Sequence, residues 1–132
     1  MPSIKTISCL VLIFLILDML WLGFIAKAFY IKYIGHLMNV VDGSIQARIS
    51  GAILVYFALV FGILLFVLPL ADGSVTKAFL YGAAFGFVTY ATYDATNLAV
   101  LKDWPVIVTV VDIIWGMVIC SVSSGLTVWL TV

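Results

Sequence analysis

The sequence predicts an all-α membrane protein, a bundle of four transmembrane helices with an interfacial helix between the first and second spans. Of its 132 residues, 66% are hydrophobic and only 9% are charged, whereas soluble domains have about 45–50% apolar and about 25% charged residues. Four runs of the chain also supply about 20 apolar residues each, which is enough to cross a bilayer as a helix. We therefore expect a single integral membrane domain over residues 1–132, surrounded by the lipid bilayer.

The predicted spans cover residues 6–26, 50–71, 78–100 and 105–130. Asp72-Gly73-Ser74 supplies a tight turn between the second and third spans, and Pro105 stands where the fourth helix begins. The longer segment after the first span mixes aromatic side chains with Lys and His between Phe29 and Met38. This mixture is typical of a helix that lies in the membrane interface. The second span has no acidic or basic residue and is expected to be a scaffold.

Three aspartates lie inside predicted spans and at one depth. A carboxylate in the membrane costs several kcal/mol unless it is neutralised, paired or solvated. Counted from the flanking loops, each carboxylate is eight or nine residues deep, which is about 12–13 Å along a helix. Because the first and third helices end at this face and the fourth begins there, Asp18, Asp94 and Asp112 are expected to line one polar cavity.

Two helical stripes of small and polar residues support this convergence. In the third span the stripe comprises Gly82, Gly86, Tyr90, Asp94 and Asn97. In the fourth span it comprises Thr109, Asp112, Gly116, Cys120, Ser123 and Thr127. Both stripes are expected to face protein, because small residues let helix backbones approach closely. Tyr90 is preferred to Tyr93 as an assisting group because it shares the face of Asp94, and Asn97 is expected at the edge of the cavity.

The first and fourth spans also share an Asp-x-x-Trp pattern, at Asp18-Met19-Leu20-Trp21 and at Asp112-Ile113-Ile114-Trp115. A Trp three residues after an Asp lies on the same side of the helix. It could form a wall of the pocket or donate its indole N–H to the carboxylate. Trp21 and Trp115 are therefore candidate binding residues.

Three segments together carry a family resemblance. They are the Asp-x-x-Trp pattern of the first span, Tyr93-Asp94-Ala95-Thr96-Asn97-Leu98 in the third, and Trp104-Pro105 followed by Asp112-Ile113-Ile114-Trp115-Gly116 in the fourth. The chain resembles the bacterial small predicted membrane proteins of domain-of-unknown-function family 2177 over essentially its whole length. The resemblance implies a four-span bacterial membrane protein and does not imply an activity.

Charge balance within the spans suggests a function. The four predicted spans contain no Lys, Arg or His, so three ionised aspartates would repel one another. Either some of them are protonated or a cation occupies the site. The favoured hypothesis is proton-coupled transport of a cationic or amphipathic small molecule, in which Asp94 and Asp112 bind protons or substrate. Trp21 and Trp115 would then form aromatic walls that contact a cation.

Other hypotheses fit the same residues. No cofactor is required, but Asp18, Asp94 and Asp112 would suit a hard divalent cation such as Mg²⁺, Ca²⁺ or Mn²⁺, together with the carbonyl of Asn97. The first alternative is a membrane enzyme that modifies a lipid or isoprenoid with Asp acid–base groups or metal ligands. The second is a structural or assembly subunit. A cleft open sideways to the bilayer would favour the enzyme, and a pocket open to one face would favour transport.

Charge distribution predicts the partners and the orientation. Six basic residues balance six acidic residues, so nucleic-acid binding is not expected. Four cations lie on one side of the predicted bundle, and they are Lys27, Lys32, Arg48 and Lys102; Lys5 and Lys77 lie on the other. The positive-inside rule then places both termini outward in a bacterial inner (cytoplasmic) membrane. A homodimer is expected to be feasible because four helices enclose little volume.

Overall fold

The first helix is capped at its start and distorted at its end. The computed structural model describes residues 2–132, and helix α1 covers Ile4–Leu20. The side-chain oxygen of Ser3 accepts a hydrogen bond from the Thr6 amide at 3.1 Å, which satisfies one of the amides left free at a helix start. The helix continues through a π-helical turn, Trp21–Ile25, and such turns are frequent at functional sites.

The connection between the first and second spans contains a short helix and a hairpin. Helix α2 covers Lys27–Ile34, and a 3-10 turn, Gly35–Leu37, follows it. Strands β1, Val40–Val41, and β2, Ser44–Ile45, pair antiparallel. The two residues between the strands, Asp42 and Gly43, both have positive φ angles, of 50° and 75°. A two-residue loop of this type matches the natural twist of a hairpin.

Helix α2 does not stand apart from the bundle. Ala26, Tyr30 and Ile34 are buried and form an apolar cluster with Val108. The predicted helix in this segment is therefore present, and it is anchored against the beginning of the last helix. Its position in the membrane interface remains a prediction.

The second span combines three helical segments. Helix α3 covers Ile49–Gly62, a π-helical turn covers Ile63–Val67, and helix α4 covers Leu68–Ala71. The π-helical turn ends two residues before Pro69, which has no N–H to continue the regular hydrogen-bond ladder. Asp72 then adopts a left-handed conformation, with φ of 50°, and ends the helix.

The last two helices form the most extensive contact in the fold. Helix α5 covers Val75–Val100 and helix α6 covers Val106–Thr131. Gly86 of α5 lies directly against the backbone of Gly116 in α6, and Gly82 lies against the backbone of Cys120. The prediction that the two small-residue stripes face protein is confirmed at these positions.

The other helices pack around this pair to different extents. Helix α1 packs along α6, whereas α1 and α3 scarcely touch. The central apolar cluster joins Leu10 and Phe14 of α1 to Ile63 and Val67 of the second span and to Ile119 of α6. Many large apolar side chains elsewhere on the surface are exposed, as expected for a surface that faces lipid.

Within residues 2–132, three helical stretches are long and apolar enough to cross a membrane, Ile4–Ile25, Ile49–Ala71 and Val106–Thr131. The all-α prediction is confirmed, apart from the two-residue strands of the hairpin. Helix α5 equals α6 in length, at 26 residues, but it is less hydrophobic on average. The third predicted span, which α5 would form, therefore remains a prediction.

Candidate functional site

Asp94 has the most unusual environment in the structure. Its side chain is fully buried, with 0% exposure, and neither carboxyl oxygen has a hydrogen-bond partner among residues 2–132. Asp112 of α6 is the acidic group beside it. A buried charge without a partner is costly, so this pair of carboxyl groups has capacity to bind a proton or a cation.

Asp112 is held by the short helix between the first two spans. The Tyr30 hydroxyl donates a hydrogen bond to Asp112 Oδ1 at 2.7 Å, and Trp21 Nε1 donates to the Tyr30 oxygen at 3.1 Å. Tyr30 is 5% exposed, and its burial raises the pKa of the hydroxyl, so Tyr30 stays protonated as a donor. The anchoring of α2 against α6 therefore positions the partner of Asp112.

Asp18 belongs to a second group of hydrogen-bonded side chains. The Tyr56 hydroxyl of α3 donates to Asp18 Oδ2, and Trp115 Nε1 of α6 donates to Asp18 Oδ1 at 3.2 Å. Asp18 is 7% exposed. Unlike Asp94, this carboxylate has a donor on each oxygen, so its burial is compensated.

Two stacked tryptophans connect the Asp18 group to the Asp112 group. The rings of Trp21 and Trp115 are 4.4 Å apart between centroids and 6° from parallel. Each Asp-x-x-Trp pattern was predicted to place its Trp beside its own Asp. Instead Trp115 donates to Asp18 of the other helix, and Trp21 reaches Asp112 through Tyr30. The π-helical turn at Trp21 changes the regular helical spacing, and the packing of α1 on α6 determines the partners.

Tyr90 lies near the aspartates at the centre of the site, whereas Asn97 lies at its periphery. The ring of Tyr90 packs against Gly116, and Tyr90 is close to both Asp18 and Asp112. Asn97 is half-buried, one helical turn after Asp94. Within residues 2–132 its side chain forms no hydrogen bond with a carboxylate. Hydrogen bonds and ring stacking thus link four of the predicted site residues, Asp18, Trp115, Trp21 and Asp112. Asp94 and Tyr90 lie beside them, Asn97 lies at the periphery, and a cavity shared by all three acids remains a prediction.

Sequence reasoning missed Tyr30 and Tyr56. The second span was predicted to be a scaffold only, yet Tyr56 supplies a direct partner of Asp18. One signal could have identified it, because Tyr56 lies eight residues after Arg48. That separation corresponds to about 12 Å along a helix, which is the depth estimated for the aspartates.

Metal binding has limited geometric support. Across residues 2–132 there is no group of three His, Cys, Asp or Glu side chains that could hold a metal ion. Because Ca²⁺ takes about six to eight oxygen ligands, a divalent ion would need ligands beyond Asp94 and Asp112. A hard cation at this pair remains a prediction.

Two cavities lie outside the acid pair. An apolar groove of about 430 Å³ separates α1 from α3 and includes Phe14, Tyr56 and Leu64 among its lining residues. We call it the α1/α3 groove. A second cavity, of about 290 Å³, lies between Thr6, Leu68 and Thr131, at the end of the bundle that is far from the acid pair. Tyr56 connects the α1/α3 groove to the acidic site, because it lines the groove and donates to Asp18.

The comparisons with known proteins identify a family. A family model described as "predicted membrane protein (DUF2177)" matches residues 3–129. No curated protein and no solved structure matches the chain.

Proposed function

For this chain, which belongs to the DUF2177 family of predicted membrane proteins, we propose proton-coupled transport of a cationic or amphipathic small molecule. The observation that carries the proposal is Asp94, which is fully buried beside Asp112 and has no hydrogen-bond partner within residues 2–132. Two adjacent carboxyl groups in a low-dielectric interior do not both ionise without a counter-charge. The pair therefore holds either a proton or a cation, and exchange of one for the other couples their movements.

The surrounding groups favour an organic cation as the exchanging ligand. The predicted spans contain no Lys, Arg or His, so the protein offers no internal counter-ion at this depth. The stacked rings of Trp21 and Trp115 are linked by hydrogen bonds to Asp112 and Asp18. Each ring covers the inner face of the other, so a cation would contact an outer face of the stack. An amine with an apolar body would bind to both kinds of surface.

The α1/α3 groove suggests a route from the bilayer. Its volume of about 430 Å³ is within the range of small-molecule sites, and its walls are apolar apart from Tyr56. An amphipathic molecule would place its apolar part in the groove and its amine near Tyr56 and Asp18. From there Asp94 would be the stronger acceptor, because no donor from the described part of the chain occupies either of its oxygens.

The proposal also includes the arrangement of the helices in the membrane. Helix α5 would also cross the membrane, as the third of four spans, since its exposed face contains apolar side chains such as Leu80, Phe87 and Val88. Helix α2 would lie in the interface on the side with more cations. That side would face the cytoplasm of a bacterial inner membrane, which places both termini outward. A homodimer would give this small bundle a larger enclosed volume.

Proton release on ligand binding tests the function. Purified protein in weakly buffered detergent is titrated with lipophilic amines while a pH indicator reports released protons. The parent protein should release protons as the amine binds, and Asp94→Asn should abolish both. Asp42→Asn is the matched control, because Asp42 lies in an exposed turn whose left-handed conformation Asn tolerates. Amine binding without proton release, or binding unchanged in Asp94→Asn, would refute the proposal.

One observation favours a second candidate, a membrane enzyme acting on a lipid or isoprenoid. The α1/α3 groove lies between two lipid-facing helices, and the Tyr56 hydroxyl on Asp18 is an acid–base pair at its wall. Conversion of a labelled lipid by the purified protein, lost in Tyr56→Phe, would favour this function over transport. If Asp94→Asn and Asp112→Asn instead keep parental amine binding, the aspartates act as structural contacts.

A further inference from the structure

Three hydroxyl groups of α6 are buried without hydrogen-bond partners. The side chains of Ser123, Ser124 and Thr127 are each 0% exposed, and none of their oxygens has a partner among residues 2–132. Thr127 follows Ser123 by four residues and Ser124 by three, so all three lie on one face of the helix. We call them the hydroxyl cluster.

These hydroxyls differ from other hydroxyls of the same fold. A Ser or Thr inside a helix usually donates to the carbonyl four residues earlier. Thr92, Thr96 and Thr131 do so here, each at 2.6 Å. The hydroxyl cluster has the same carbonyl groups within reach and does not use them. Its donors and acceptors are therefore available to another ligand.

The hydroxyl cluster lies between the acid pair and the far end of the bundle. Ser123 is eleven residues after Asp112, which is about 16–17 Å along α6. Cys120 is buried between them, and Tyr90 is close to both Cys120 and Asp112. This stretch of α6 belongs to the central apolar cluster, and the Cys120 thiol and the Tyr90 hydroxyl are polar groups that the structure places between Asp112 and the hydroxyl cluster.

An opening lies beyond the hydroxyl cluster. The cavity of about 290 Å³ at the far end of the bundle is lined by Thr6, Val128 and Thr131, among others. Val128 directly follows Thr127 in the chain. Thr131, which lines the cavity, lies one helical turn after Thr127 on the same face of α6 and bonds its carbonyl. Water entering this cavity would thus reach the end of the helix face that carries the cluster.

We propose that Ser123, Ser124 and Thr127 form an internal water-binding site through which protons reach the Asp94–Asp112 pair from the far end of the bundle. Water is the ligand whose chemistry fits, because each hydroxyl offers one donor and two acceptor positions and carries no charge. A buried water typically makes about three hydrogen bonds to otherwise unsatisfied polar groups, and the cluster supplies three such groups. The role in proton transfer rests on the proposed transport function, whereas water binding itself does not.

Removal of the hydroxyls tests the site. The variants are Ser123→Ala, Ser124→Ala and Thr127→Val, singly and combined, and each nearly preserves side-chain volume. Thr92→Val is the control, since its hydroxyl is exposed and bonds a carbonyl of its own helix. Two quantities are measured, the midpoint of thermal unfolding in detergent and the rate of proton release after a rapid addition of amine.

A water site predicts a specific combination of results. The combined variant should release the same number of protons as the parent protein, but about tenfold more slowly, which corresponds to the loss of about one hydrogen bond. Its unfolding midpoint should fall or stay unchanged, because the bound water loses partners. Thr92→Val should match the parent protein in proton-release rate.

The opposite result would overturn the inference. If the hydroxyl cluster is dry, replacing its unsatisfied groups removes a burial penalty, so the midpoint rises while the proton-release rate stays parental. A parent protein that releases no protons at all would refute the transport function instead. In that case the direction of the midpoint change alone would decide whether water binds.

Discussion

Replacing Gly86 by alanine should destabilise the fold by more than its single added methyl group suggests. An added Cβ would collide with the carbonyl carbon and oxygen of Gly116 and with the Cα of Met117. All three are backbone atoms of α6, so no side chain can rotate away. Overpacking that forces backbone shifts costs about 1–3 kcal/mol, and this contact is expected at the upper end of that range.

Gly51→Ala is the matched control, and its expected effect on stability has the opposite sign. Gly51 of α3 has no atom within 4 Å of the position of an added Cβ. Alanine there should stabilise the helix by about 0.5–1 kcal/mol. The two alanine variants should therefore differ by about 4 kcal/mol, which is close to a thousandfold difference in the folding equilibrium.

Reversible unfolding in mixed detergent micelles measures both variants under one set of conditions. Helix content from circular dichroism should report a lower midpoint for Gly86→Ala and an equal or higher one for Gly51→Ala. Gly86→Leu should reduce the yield of folded protein further. Parental stability of Gly86→Ala would show that α5 and α6 are not in close contact there and would refute the reasoning.

Three further predictions concern the carboxylates, and unfolding in mixed micelles measures each of them. Tyr56→Phe removes a donor from the buried Asp18, so the free energy of unfolding should fall by about 1–3 kcal/mol; an unchanged value would mean that another donor replaces it. Tyr30→Phe removes both the donor to Asp112 and the acceptor for Trp21 Nε1, so the free energy of unfolding should fall by about 1–3 kcal/mol; an unchanged value would mean that other groups replace both hydrogen bonds. Asp94→Asn should keep or raise stability, since Asn preserves the shape and cannot ionise; a marked loss would indicate that Asp94 holds the helices together.

Apolar length and helical spacing made much of the fold predictable. Runs of apolar residues identify helices long enough for the bilayer, and the recurrence of Gly82 and Gly86 identifies the face that needs a close neighbour. Both inferences depend on properties local to one helix. They could therefore be made before any packing was known, and the contacts of Gly86 with Gly116 agree with them.

The partners of the carboxylates were less predictable because they depend on how helices rotate against each other. Tyr30 and Tyr56 are neutral, so their burial carries no charge penalty that the sequence would reveal. Trp115 bonds Asp18, 97 residues away in the chain. Helical spacing within α6 predicted only that Trp115 lies on the same side of the helix as Asp112. Tertiary packing of α1 on α6 selected the other carboxylate.

The contact between α5 and α6 links the stability of the fold to the chemistry of the site. Gly86 lies two helical turns before Asp94, and Gly116 one turn after Asp112. The same close approach that Gly86 and Gly116 permit thus brings Asp94 beside Asp112. Two carboxyl groups can share a proton or a cation only while they stay adjacent. A substitution that widens this crossing slightly, without unfolding the protein, should therefore weaken the exchange of protons for ligand before it reduces the helix content.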